Sequence, residues 1–268
     1  MTQPSDPESG PPRAVVFDMD GVIVESEHLW EELWTAFAAE RGARWGPAQT
    51  ATVQGMSAPE WAAYLAEFSA APESAQETER LVVDGMVAAL AAGRIELLPG
   101  SERMVADVSA VAPIAMASSA PRRVIDAVLT QHGIIRYFTA TVSSAEVANG
   151  KPQPDVYLAA AARIGVPAGA CLAVEDSSNG LRAAAAAGMS VIAIPNPGYP
   201  PAADALAAAV HVAADLDEVR GLLLDGLATA GTDRHGDLPG RETSGRDGAD
   251  RDVRTSGVSE HSRAGSSR

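Results

Sequence analysis

Four short apolar runs limit what this chain can fold into: Ala14–Phe17, Ile114–Ala117, Cys171–Val174 and Val191–Ile194. Each is long enough for a buried strand and too short for a helix. Helical stretches follow them near Arg122–His132, Pro154–Ile164 and Asn179–Ala187. Gly133, Gly165 and Gly188 stand just past the ends of these stretches, where a left-handed residue closes a helix. Wholly apolar strands alternating with helices require a sheet covered on both faces, and that sheet is parallel. The expected fold class is α/β.

Residues 22–98 interrupt the alternation directly after the first run. All four tryptophans (Trp30, Trp34, Trp45 and Trp61) lie there, with Phe37, Tyr64 and Phe68. Leu29, Leu33 and Phe37 recur every four residues, Trp61, Leu65 and Phe68 at four and three, and Val82, Met86 and Leu90 at four. These spacings predict three amphipathic helices forming a small bundle with its own core. The aromatic stripe reads first as core packing, with some rings free to line a pocket. The expected organisation is an α/β core from 13–21 and 99–228, with a helical domain inserted at 22–98. The ends differ. Residues 1–12 are polar and Pro-rich, and 229–268 lack aromatics and are dominated by Gly, Ser, Arg and Asp. Such segments cannot offset their ordering entropy, and both are expected to be disordered.

The formal net charge is −15, and of the 20 basic residues only Lys151 is a lysine. The acidic balance argues against a nucleic-acid-binding surface. It also means that an anionic substrate needs local help from a metal, a cation or backbone amides. No apolar run is long enough to span a membrane, and the N-terminus lacks the pattern of a secretory signal. The lone cysteine, Cys171, falls inside an apolar run and is expected to be inert. These features fit a cytoplasmic protein.

Three of the apolar runs end in polar residues. Ala14–Phe17 leads into Asp18-Met19-Asp20-Gly21, Ile114–Ala117 into Ser118-Ser119, and Cys171–Val174 into Glu175-Asp176. In an open parallel sheet the site lies beyond the carboxyl ends of the strands, so these turns converge on one crevice. Four carboxylates crowded there repel one another unless a cation is present. Oxygen ligands without histidine suit Mg²⁺. A carboxylate cluster with Mg²⁺ and hydroxyl or amide donors suits phosphate-ester chemistry, in which an aspartate can attack phosphorus. Lys151 sits in Gly150-Lys151-Pro152-Gln153-Pro154-Asp155, whose two prolines hold the loop stiff.

Asp18-Met19-Asp20-Gly21-Val22, Ala117-Ser118-Ser119, Gly150-Lys151-Pro152-Gln153-Pro154-Asp155 and Val174-Glu175-Asp176-Ser177-Ser178-Asn179-Gly180 resemble the four motifs of the haloacid dehalogenase-like superfamily, in order and at the usual separations. The resemblance spans about residues 13–215. It implies a Rossmann-like parallel-sheet core carrying the insertion as a helical cap. It also implies roles. Asp18 would be the nucleophile forming an aspartyl-phosphate. Asp20 would be the general acid and then the base, with a pKa raised by burial and neighbouring carboxylates. Ser118, Ser119 and Lys151 would bind the transferring phosphoryl group. Asp18, the carbonyl of Asp20, and Asp176 would bind Mg²⁺, with Glu175 close by or acting through water.

Asp20 disfavours the dehalogenase branch, which lacks this second acid. The cap has no lysine, which excludes the phosphonatase branch and its Schiff base. The expected activity is Mg²⁺-dependent hydrolysis of a small, sugar-phosphate-like monoester. The alternatives are a β-phosphoglucomutase-type mutase and an inactive binding module. A mutase must hold two phosphates and needs a cation on the cap side; Arg41 and Arg44 are not at the family position. Gly55, Met56 and Ser57 are candidates for a substrate-specificity loop, and Ser57 reads equally as a helix cap before Pro59 and Glu60. Gly21 and Leu98-Pro99-Gly100 are the expected hinges. Ser177 or Ser178 is expected to cap a helix, His28, Arg122 and Arg123 to lie on the surface, and Glu25 and Glu27 to start the first cap helix. The sequence carries no signal of oligomeric state.

Overall fold

The structure is a computed structural model and describes residues 12–232. In chain order the elements are β1 (Ala14–Phe17), β2 (Val24–Glu25), α1 (Glu27–Glu40), α2 (Pro47–Val53), α3 (Ala58–Phe68), α4 (Ala75–Ala91), β3 (Glu96–Leu97), α5 (Ser101–Ser109), β4 (Ile114–Ser118), α6 (Arg122–Gln131), β5 (Ala140–Ser143), α7 (Asp155–Arg163), β6 (Cys171–Glu175), α8 (Ser178–Ala186), β7 (Ser190–Ala193), α9 (Ala203–Leu206), β8 (His211–Val212) and α10 (Leu216–Thr232). The six-stranded sheet has the order β5-β4-β1-β6-β7-β8, and every pairing in it is parallel.

Strand alternation assigns each side chain of β1 to one of two cores. Val15 and Phe17 join Met104 and Val105 of α5, Ile125 and Val128 of α6, and Val219 and Leu223 of α10. Ala14 and Val16 join Tyr157 and Ala160 of α7, and Leu181 and Ala184 of α8. All four β1 residues are fully buried. That explains why the strand reads as a continuous apolar run. Each large side chain removed from water here contributes about 1.5–3 kcal/mol. Gly133, Gly165 and Gly188 have φ of +67°, +69° and +82°, the left-handed conformation expected past a helix end.

From β1 the sheet grows one way through β4 and β5, and from β6 the other way through β7 and β8. Connections reverse between β1 and β6, so the crevice opens beyond the carboxyl ends of those two strands. The helical insertion leaves directly after β1. Its two ends are tied by the antiparallel pair β2–β3, with Val24 opposite Leu97, and Leu98 N donates to Ile23 O at 2.9 Å. The insertion has four helices rather than the three expected, because α2 is too short to show a repeat. Its aromatics interlock: Trp45 meets Tyr64 and Phe68 edge-on at 5.9 and 5.5 Å, and Trp34 at 6.0 Å.

Helix α10 continues through Thr232, past the core boundary expected at 228. Val219, Leu223 and Leu227 anchor it on the sheet and carry the last turn into the polar segment. Residues 1–11 and 233–268, where disorder is expected, lie outside the described residues. No described helix is long and apolar enough to cross a membrane.

Candidate active site

Asp18 follows β1, and its backbone N–H donates to Val174 O at 3.0 Å, fixing it beside the end of β6. Gly21 then turns the chain into the insertion with φ +75°, and a Cβ there would lie 1.9 Å from Asp176 Oδ2. Only glycine fits that turn.

Lys151 reaches in from the loop before α7 and is 3% exposed. Its Nζ donates to Asp18 Oδ1 at 2.8 Å and to Glu175 Oε1 at 2.6 Å. Glu175, the last residue of β6, also accepts from Tyr157 OH at 2.7 Å on Oε1. Its Oε2 accepts from Asp176 N at 3.0 Å, Ser177 N at 3.0 Å and Ser177 Oγ at 3.1 Å. A carboxylate offers about four lone-pair sites, so these bonds saturate Glu175. Glu175 thereby holds Lys151 in place, and it also stands in the acidic cluster beside Asp18 and Asp176. Ser177 caps α8 by accepting from Gly180 N at 3.1 Å, as expected.

Asp176 Oδ2 is buried with no hydrogen-bond partner. Ligand atoms of Asp18, Glu175 and Asp176 all lie within 4.8 Å of one another. Burial raises the Asp18 carboxyl to about 8, assisted by Glu175 and Asp20 and opposed by Lys151. Asp176 is pushed well up by burial and then by Glu27, Glu175 and Asp18. Burial alone would lower Lys151, but Asp18 and Glu175 outweigh it and hold the ammonium charged. One lysine among these carboxylates leaves an unbalanced negative site with an orphaned oxygen, which a hard cation would complete.

The Asp20 carboxyl is also raised, by burial. Ser26 Oγ and Trp30 Nε1 donate to Asp20 Oδ1, the second at 3.3 Å, and pull the other way.

Above the crevice is a cavity whose wall includes Asp18, Asp20, Lys151 and Asp176 on the core side and Glu27, Trp30, Trp34, Val53, Gly55, Met56 and Trp61 on the cap side. Gly55 and Met56 therefore stand where the specificity loop was expected. Ser57 does not: its N–H donates to Glu60 Oε2 at 2.9 Å at the start of α3, the capping role. Ser118 is fully buried, and its Oγ accepts from Ala120 N at 3.0 Å, leaving its own proton to donate. Ser119, expected to bind phosphate, gives its hydroxyl proton to the Gly55 carbonyl at 2.8 Å. The hydroxyl thus ties core to cap, while Ser119 still lines the cavity with Asp18 and Lys151. Asn179 Nδ2 does the same to Gln54 O at 2.9 Å, and Tyr199 OH to Glu31 Oε2 at 2.7 Å.

Glu27 is the residue that sequence reasoning missed. It does start α1, but its carboxylate accepts from Gln54 Nε2 at 3.0 Å and Asn196 Nδ2 at 2.8 Å, and burial raises it to about 7. No local signal marks it, because both partners are distant in sequence. Arg122 and Arg123 pair with Glu146 and Asp84 on the surface, and His28 is exposed, as expected.

A family model for haloacid dehalogenase-like hydrolases matches residues 12–188. A probable pseudouridine-5'-phosphatase of Drosophila melanogaster is 31% identical over 189 residues, covering 68% of this chain and 81% of that protein. Hexitol phosphatase B of Escherichia coli K12 is 31% identical, covering 69% of this chain and 84% of its own. The crystal structure of CbbY from Rhodobacter sphaeroides in complex with phosphate superposes with a TM-score of 0.70 at 27% identity, covering 81% of this chain and 99% of that one.

Proposed function

Because the chain belongs to the haloacid dehalogenase-like hydrolases, in the β-phosphoglucomutase-like branch, we infer that it is a phosphoric monoester hydrolase acting on a small phosphate ester by way of an aspartyl-phosphate. The observation that carries this reading is the buried cluster of Asp18, Lys151, Glu175 and Asp176 at the switch point of the sheet. The named phosphatases among its relatives support the reaction class.

An Asp18 carboxylate oxygen attacks phosphorus, and the bond from phosphorus to the alcohol oxygen breaks. Asp20 supplies the proton that leaves with the alcohol. Its two hydrogen bonds both go to Oδ1, which leaves Oδ2 to carry that proton. Burial raises the carboxyl's pKa, which favours the protonated form that this step needs. Asp20 next takes a proton from water as the water attacks the aspartyl-phosphate, and inorganic phosphate leaves with Asp18 restored. Lys151 spends two of its three N–H donors on Asp18 and Glu175, so the third serves a phosphoryl oxygen. The Ser118 hydroxyl serves another.

The residues present fit Mg²⁺. Asp18 and Asp176 would hold it, and the orphaned Asp176 Oδ2 supplies the independent sign of a missing partner. Bound there, it would supply positive charge that offsets the phosphoryl oxygens and the buried Asp18 carboxylate. The buried, thiol-inert Cys171 is in keeping with a cytoplasmic enzyme. Among the residues lining the cavity Lys151 is the sole cation, so a second phosphate would find no cationic partner there, which favours hydrolysis over the mutase alternative.

The test is phosphate release from a broad ester panel with Mg²⁺, paired with Asp18→Asn. The variant is expected to lose on the order of 10⁴-fold or more in kcat while melting no earlier than the wild type. Substantial residual turnover would remove Asp18 as nucleophile.

A further inference from the structure

The chemistry of the released alcohol can be read from the cap wall; this step rests on the phosphatase reading. Three indoles form that wall. Trp30 and Trp34 stack with centroids 6.0 Å apart and 27° between planes, and Trp61 lies 5.9 Å from each. Trp34 is 6% exposed, and its Nε1–H is buried without a hydrogen-bond partner. A buried donor left unpaired costs about 1–3 kcal/mol, a cost that a bound acceptor removes.

Other polar groups on the cap side of the wall are engaged within the protein. Glu27 accepts from Gln54 and Asn196, Thr50 donates to Glu31 and accepts from Trp45, and Trp30 donates to Asp20. A polyhydroxylated alcohol would find these groups already partnered, with the spare lone pairs of Glu27 and Gln54 Oε1 left to receive its hydroxyls. A flat ring with a single acceptor needs no such partners, and an aromatic wall favours it. Charge narrows the class further. Lys151 stands at the nucleophile's end, tied to Asp18 and Glu175, while the cap side presents the carboxyl group of Glu27. A second anionic group on the substrate would meet carboxyl groups there and no cation.

We propose that the substrate is the phosphate monoester of an alcohol bearing a planar aromatic or heteroaromatic ring, with one hydrogen-bond acceptor for Trp34 Nε1 and no second anionic group.

The experiment measures kcat/KM with Mg²⁺ for four primary-alcohol esters: 2-(pyridin-2-yl)ethyl phosphate, 2-phenylethyl phosphate, glucose 6-phosphate and fructose 1,6-bisphosphate. The pyridyl ester is expected to lead glucose 6-phosphate by about tenfold or more, with the bisphosphate slowest. Glucose 6-phosphate turned over as well or better overturns the inference and leaves the phosphatase reading standing. No phosphate released from any ester of these or a broader panel overturns the phosphatase reading, and this inference with it. Trp34→Phe keeps a ring and removes the donor. It is expected to erase the advantage of the pyridyl over the phenyl ester, about tenfold in KM. An equal loss on both esters would mean that Trp34 acts only in packing, and would overturn its assignment. If the variant does not fold, the wild-type ranking decides alone.

Discussion

The core and the cap of this molecule place their polar groups in opposite ways. In the core, apolar strands end abruptly in carboxylates, and the central charges are paired across long sequence distances, Lys151 to Asp18 and Tyr157 to Glu175 among them. The cap is built from large rings, with polar side chains that mainly bond within the protein and three buried polar atoms left over, of which Trp34 Nε1 belongs to the cavity wall. The core holds a fixed arrangement of charge, suited to one reaction. The cap shapes the space for an alcohol, and few of its groups are free to bond it. Chemistry and selectivity are thereby assigned to separate sets of residues, and substitutions should separate them.

The largest effect that sharpens this contrast is expected from the core. Lys151→Arg keeps the charge but puts a planar guanidinium where a compact ammonium bridges two carboxylates. It should lower kcat by roughly 10²–10³-fold, measured by phosphate release. Near-normal turnover would show that only charge matters, and would break the claim of a geometrically fixed core.

At the seam, Ser119→Ala removes the hydroxyl that reaches the Gly55 carbonyl. A hydrogen bond worth about 1 kcal/mol should appear as a roughly fivefold rise in KM with little change in kcat. A fall in kcat with KM unchanged would return Ser119 to phosphate binding, the role its motif position implies.

The smallest effect concerns stability. Asp18 titrates near 8 in the folded protein against an ordinary 3.8, and Glu27 near 7 against 4.5. The folded state therefore holds more protons than the unfolded state between those values, and the stability of metal-free protein falls as pH rises through that window. Its melting temperature should drop by several degrees or more between pH 5 and pH 8 from this source, since each 1 kcal/mol lost moves the Tm of a chain this size by roughly 2–4 °C. Mg²⁺ should restore more at pH 8 than at pH 5, and Asp18→Asn should flatten the slope. A slope that Asp18→Asn leaves unchanged would place its origin elsewhere.

The central strands and the motif residues were legible because each carries a local signature. A fully buried strand must be apolar along its whole length, and a carboxylate at its end has few bland explanations. The strand β5 escaped notice because its first two residues, Ala140 and Thr141, are only half-buried, and β2, β3 and β8 are two residues long. The roles of Glu27, Ser119 and Ser57 were set by what each side chain meets. Glu27 bonds Asn196 and Ser119 bonds Gly55, both far away along the chain, while Ser57 was decided between two readings by Glu60. Composition carries no trace of such pairings, and a serine after a strand reads alike whether it binds phosphate or a carbonyl.

The crowding of every tryptophan into residues 30–61 has an optical consequence. Excited at the red edge of indole absorption, the whole emission of the described protein arises in the cap, and the α/β core is dark. Trp30 shares a hydrogen bond with Asp20, so one emitter sits against the acid itself. An arriving ring would change the surroundings of Trp30, Trp34 and Trp61 together. The enzyme thus carries an unlabelled reporter of ligand entry, readable on the stopped-flow timescale before any phosphate is released.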